Sequence, residues 1–192
     1  MGRGMEPHPI ESLRAEHAVI RRLLAALSGL GARLERDPVN ERPQLARCAQ
    51  ALGELVQLFH HDKEEEILLP ALARHGLDWG SGPAARVRQE HEQEAYLARV
   101  LEQAAEQVGR YDPEDLRHAV KAIRAYVEFV GAHLAGEEAH LFPAAEAALD
   151  GAAAADVARQ FAAHEAHRFG GHRYADLLRE VDRLHAEYAP AG

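Results

Sequence analysis

The chain has little of what builds disulfide scaffolds, sheets or membrane spans. Its single cysteine, Cys48, cannot form an internal disulfide. Aromatic residues make up 6% of the sequence, and β-branched residues are also sparse, which leaves little material for strands. No apolar run approaches the ~20 residues of a membrane span or reads as the apolar core of a signal peptide. Positive charge is short as well: 22 Lys and Arg stand against 31 Asp and Glu, for a net charge of −9 and a pI near 5.8. That balance argues against nucleic-acid backbones and against a polybasic membrane patch as partners. A soluble, cytoplasmic protein is the expectation.

The chain is rich in Ala, Leu, Glu and Arg, all good helix formers. At 192 residues it is long enough for one compact all-α domain with a real core. Residues 1–9, MGRGMEPHP, read as a flexible lead-in. Leu13, His17, Ile20, Leu24, Leu27 and Leu34 recur at helical steps and predict a first helix from about Pro9 to Glu35. Asp37-Pro38 and Arg42-Pro43 break the pattern, and a second helix follows through Leu52, Val56, His60, Glu64 and Ile67 to about His75-Gly76. Ser81 and Pro83 fit the start of a third helix, which carries Val87, His91, Glu94, Ala98 and Leu101. Asp112-Pro113-Glu114-Asp115 starts a fourth, ending at Asp150-Gly151. A fifth helix over 150–188 should be kinked or interrupted at Gly170-Gly171.

Two stretches repeat. HHDKEEEILLPAL from His60 and HLAGEEAHLFPAA from His133 superpose when Pro70 is laid on Pro143, 73 residues apart, and each then carries His-x3-Glu. That spacing sets an imidazole and a carboxylate one turn apart on the same helix face. Glu16-His17 and Glu90-His91 repeat at 74 residues, so helices one and two match helices three and four. Short connections make consecutive helices antiparallel, giving an up-down four-helix bundle over 10–149 with a fifth helix packed on it. His17 and His91 lie about two turns into their helices, and His60 and His133 three to four turns before the ends of theirs. In an antiparallel bundle these positions meet in one layer.

A lone His-x3-Glu is ordinarily a solvated ion pair. Two copies at a constant offset, each preceded by a histidine on the apolar seam, point elsewhere. Four imidazoles and two carboxylates in one buried layer are costly to desolvate unless cations pair with them. Mixed nitrogen and oxygen donors suit iron, manganese or zinc rather than calcium or magnesium, and six donors exceed the needs of one tetrahedral zinc. Two metal ions fit the count.

On these residues, over about 10–149, the chain resembles the hemerythrin-like family of HHE cation-binding domains. The resemblance implies a four-helix bundle around two irons with an oxo or hydroxo bridge, zinc and manganese being alternatives. It also implies His17, His60, Glu64, His91, His133 and Glu137 as metal ligands, the two glutamates as bridges, and a small diatomic or peroxide ligand. The chain departs from oxygen-carrying hemerythrins in having Ala95 where they place a further histidine and Glu137-Glu138 near their aspartate position. Glu138 is therefore an alternative to Glu137. His61 beside His60, Glu94 one turn after His91, and His164 on the fifth helix are additional candidates. Catalase-like or peroxidase-like turnover, carriage or sensing of O2 or nitric oxide, iron storage, and a zinc-stabilised structural bundle are the functions this reading leaves open. Tyr111, Tyr126 and Tyr174 are further residues that iron chemistry can use.

Overall fold

Aspartates fix where three of the helices begin. In the computed structural model, which describes residues 8–77, 82–108 and 112–190, Asp37 accepts the Asn40 amide at 3.3 Å, Asp112 the Glu114 amide at 2.8 Å, and Asp150 the Ala152 and Ala153 amides at 3.1 and 3.0 Å. Each satisfies amides that a helix start leaves without partners. Pro38 and Pro113 follow in the first turn, where a missing N–H costs nothing. Asp37-Pro38 thus opens the second helix, and Pro43 lies inside it rather than breaking the chain before it. Ser81 and Tyr111, like residues 1–7 of the lead-in, lie outside the described residues.

Six helices result, with no strand among the described residues. They are α1 (Pro9–Leu34), α2 (38–74), α3 (Gly82–Gln107), α4 (113–148), α5 (Gly151–Arg168) and α6 (Gly170–Tyr188). The first four form a closed ring in which each packs on the next and α4 returns to α1. Leu34 and Leu45 share one apolar cluster, while Ile10 and Leu68 share another, so α1 and α2 run antiparallel. The first cluster also takes Val108, Val120 and Tyr126, and the second Val87, Leu141 and Phe142. The bundle therefore has an apolar plug at each end.

The expected fifth helix is two helices. Phe169 closes the first, and Gly170 takes φ +52°, a left-handed value that favours glycine. The pair still lies along the bundle. Val157 and Phe161 of α5 enter one plug, and Leu177, Val181 and Leu184 of α6 enter the other.

Gly29 makes the α1–α6 contact close. A Cβ built there would sit 1.8 Å from the Tyr188 carbonyl oxygen, a backbone atom that cannot turn away. Gly29→Ala is expected to push the end of α6 off α1, with loss of the 2.7 Å bond from the Tyr188 hydroxyl to Glu41. Amide exchange over residues 184–188 should accelerate. Exchange as slow as in the unaltered protein would refute the contact.

Candidate metal centre

Between the two plugs lies a polar layer. His17 comes from α1, His60 and Glu64 from α2, His91 from α3, and His133 and Glu137 from α4, and all six are buried. Two prolines help to aim the carboxylates. Pro70 and Pro143 have no N–H to give to the carbonyl four residues back, and their rings crowd it. The helix widens just before each. The Leu69 amide bonds to the Glu64 carbonyl and the Phe142 amide to the Glu137 carbonyl, five residues back instead of four. The repeated proline of the sequence is thus the origin of a widened turn that begins at each site glutamate.

A longer widened segment, Gly53–His61, precedes Glu64 and is closed by the Asp62 amide on the Gln57 carbonyl. In such a turn successive residues rotate by less than the ~100° of an α-helix. His60 and His61 can therefore both face the core, and they are 0% and 5% exposed.

The donors converge as two sets that share both glutamates. One atom each from His17, His60, Glu64 and Glu137 lie within 4.8 Å of one another, and so do atoms of Glu64, His91, His133 and Glu137. The Glu137 oxygens are 3.3 Å from Nε2 of both His17 and His133, and Glu64 is 3.3 Å from His91 Nε2 and 3.7 Å from His60 Nε2. Nε2 of His17 faces Nε2 of His60 at 3.0 Å. A third set, His61, His91 and His133, overlaps the second, with the His61 and His91 rings stacked 3.7 Å apart.

Each ring is held from behind by a carboxylate on another helix. Glu16 accepts His60 Nδ1 at 3.0 Å, and its counterpart in the repeat, Glu90, accepts His133 Nδ1 at 2.9 Å. Glu138 meets His17 Nδ1 at 2.9 Å, and its counterpart Glu65 meets His91 Nδ1 at 2.7 Å. Such contacts fix the tautomer and turn Nε2 toward the centre. These four carboxylates carry the pseudo-twofold symmetry outward, and no helical spacing reveals them, because every one crosses between helices.

The symmetry breaks at His61. Its Nδ1 lies 3.9 Å from Glu94, which also accepts a hydrogen bond from the hydroxyl of the wholly buried Tyr126. In the other half of the repeat the same two positions hold Leu134 and Ile20, both fully buried. One end of the layer thus has an extra His–Glu pair where the other has aliphatic side chains.

Three expected candidates sit behind the converging donors. Glu138 is turned to Arg21 at 2.7 Å and to the back of His17, Glu94 to Tyr126 and the back of His61, and His164 Nδ1 is 3.8 Å from Glu66. None of them enters the three donor sets. The fifth helix reaches the layer through a different residue, Glu165. It accepts Lys63 Nζ at 2.8 Å, and the same ammonium, fully buried, donates to Glu16 at 2.5 Å behind His60. The chain Glu165–Lys63–Glu16–His60 is invisible to periodicity.

The electrostatics are those of a site that takes positive charge. Burial alone would lower the His60 pKa, but Glu64, Glu137 and Glu16 carry it up to about 10. Burial likewise opposes the charged His91, yet Glu137, Glu64 and Glu65 hold it well above the usual imidazole value. For Glu137 burial raises the pKa, and the surrounding His17, His60 and His91 rings push it well below the carboxylate range. His61 goes the other way: burial and the neighbouring His91, His60 and His133 hold it well below an ordinary imidazole. Its ring is neutral, with a lone pair to offer.

The donor atoms fit metal ions. His61 Nε2, His91 Nε2, His133 Nε2 and all four oxygens of Glu64 and Glu137 are buried without a hydrogen-bond partner. Seven orphaned polar atoms in one layer are intolerable in a dry core, and a cation among them removes the penalty. The 3.0 Å between His17 and His60 Nε2 is also about what two nitrogens at right angles around one ion span at ~2.1 Å bonds.

A helical bundle with a buried histidine and carboxylate layer at mid-height is, as a class, a bundle-type metal-binding protein. The chain belongs to the hemerythrin family of HHE cation-binding domains, whose family model matches residues 8–144. Among curated proteins it is 24% identical over 171 residues to the uncharacterized proteins Rv1995 and MT2051 of Mycobacterium tuberculosis and Mb2018 of Mycobacterium bovis. The match takes in 89% of this chain and 66% of theirs, so the chain spans slightly under two thirds of the length of those relatives. No solved structure matches significantly. No helix among the described residues is long and apolar enough to cross a membrane.

Proposed function

We propose that the chain is a non-haem di-iron protein that binds O2, nitric oxide or peroxide at a two-metal centre inside the bundle. The observation that carries the reading is that two four-donor sets share Glu64 and Glu137, so that each of the two carboxylates would serve both ions. In this reading His17 and His60 hold one ion, and His91, His133 and His61 the other. Five imidazoles and two carboxylates form a mixed donor set that suits iron, manganese or zinc. Iron is the choice that supplies electrons and an exchangeable coordination position for a small oxygen or nitrogen ligand when bound.

The chain's own residues do the rest. The apolar plugs exclude bulk water from the layer, and the outer carboxylates Glu16, Glu65, Glu90 and Glu138 hold the rings to one tautomer. Because His60 and His91 hold protons tightly in the metal-free protein, metal uptake releases protons and weakens as the pH falls.

Elemental analysis of protein purified without added metal tests the reading. About two irons per chain, with an absorption band that shifts on adding peroxide or nitric oxide, is the expected result; two zincs or no metal would overturn it. His61→Leu places the residue of its repeat counterpart, Leu134, in the layer. It should weaken the binding of one of two titrated metal ions by about 10-fold or more and leave the other unchanged. Two unchanged affinities would remove His61 from the ligand set.

A further inference from the structure

The repeat exposes a second asymmetry, this time in how the two sides of the layer are covered. In the first half, Lys63 is wholly buried between Glu16 and Glu165, its ammonium 3.9 Å from the Phe59 ring centre and 5.5 Å from that of Phe161. Side chain and helix α5 together close that side. In the second half the counterpart of Lys63 is Gly136, and that of Phe59 is Ala132. A Cβ added at Gly136 would meet nothing within 4 Å. A pocket of about 230 Å³ opens there, with Val87 and Leu141 as walls and Arg86 and His140 at the mouth. Its inner end is formed by Glu90, which holds His133, and by Glu137, which belongs to both four-donor sets. The larger groove between α2 and α3, about 650 Å³, touches none of the donor residues.

We infer that the Gly136 pocket is the entrance through which a small uncharged or anionic ligand of peroxide size reaches the centre, the pseudo-symmetric route being closed by Lys63 and α5. The inference rests on the two-metal reading above. The chemistry of the walls defines the ligand class. A pocket of this volume holds a few water-sized molecules. It places one guanidinium and one imidazole at the mouth and two aliphatic residues beyond, and its volume excludes larger molecules. Glu90 is held by Arg86, one turn earlier on the same helix, at 2.6 Å, and the arginine side chain is 67% exposed, so the pair can part without disturbing the core.

Blocking the pocket after the metal is in place tests the inference. Gly136→Cys, loaded with iron, is treated with methanethiosulfonate reagents of increasing bulk, and azide binding is followed by stopped-flow absorbance. His140→Cys, at an exposed position on the mouth, supplies an independent handle should the glycine variant fail to fold. The native Cys48 does not compete, being buried, with burial and the neighbouring Glu180 pushing its thiol up to about 12. Benzyl modification of either variant should slow azide association by about ten-fold or more, with metal content unchanged and no effect of the reagent on the unaltered protein. Full modification with bound metal and an unchanged rate would overturn the entrance alone. Absence of metal or of any azide band would overturn the two-metal reading and the entrance with it.

Discussion

Glu64→Ala and Glu137→Ala should each strip the protein of most of its metal, while His185→Ala on α6 should leave the metal content unchanged. Each glutamate has two buried oxygens with no hydrogen-bond donor, and each stands in both four-donor sets. Removing one therefore withdraws a ligand from both proposed ions at once. Loss of an outer-layer partner typically weakens metal binding 10- to 100-fold, so loss of a shared ligand should exceed about 100-fold. Metal per chain after dialysis against a weak chelator is the measurement. The effect on stability should depend on metal: a clear fall in Tm when the unaltered protein is loaded, and little difference once a strong chelator has emptied both proteins. Full metal retention in both variants would remove the carboxylates from the site.

Lys63→Ala is the second large effect, and it is a matter of stability before it is one of metal. The side chain is fully buried, its partner Glu16 is 3% exposed, and the two are joined at 2.5 Å. Taking away the ammonium leaves Glu16 with the His60 ring and the Ser12 hydroxyl as its remaining partners in a dry environment, and breaking a buried pair of this kind costs about 3–5 kcal/mol. For a chain of this size that is a fall in Tm of roughly 6–20 °C. Glu165→Ala should cost much less, because that carboxylate is 35% exposed and water screens its contact with Lys63. Glu16 also holds His60, so a protein that survives Lys63→Ala should bind metal about ten-fold more weakly. A melting curve within two or three degrees of the unaltered protein would show that the burial of Lys63 is not sustained in solution.

The two predictions draw on parts of the molecule that differ in how readable they were. Glu64 and Glu137 are legible because helical period and chain repeat both fix them: a residue four after a seam histidine lies on the same face wherever the helix ends up. Lys63 lies one residue before Glu64, in a run of charges from Asp62 to Glu66 that on pattern is a solvated face. Its burial follows from α5 lying over it, and the position of α5 depends on Val157 and Phe161 finding the same plug as Ile10 and Phe142. Glu65 was equally hidden in that run, and Glu138 stood only as an alternative to Glu137; the two hold His91 and His17 from behind.

His61 marks the boundary between the two kinds of information. By a regular helical count it lies about 100° from His60 and faces the core only if the helix departs from that count. The widened turn between Gly53 and His61 supplies the departure, and the Glu94–Tyr126 pair waits behind the ring.

By itself the sequence determined the all-helical bundle, its internal repeat and the meeting of His17, His60, Glu64, His91, His133 and Glu137 in one buried layer, because a helix converts spacing directly into direction. Tertiary structure alone decided which carboxylate holds which ring, that the fifth helix reaches the layer through Glu165 rather than His164, and that one side of the layer is closed by Lys63 while the other opens at Gly136. Those features are contacts between helices. They depend on distances across the bundle, which no period along the chain encodes.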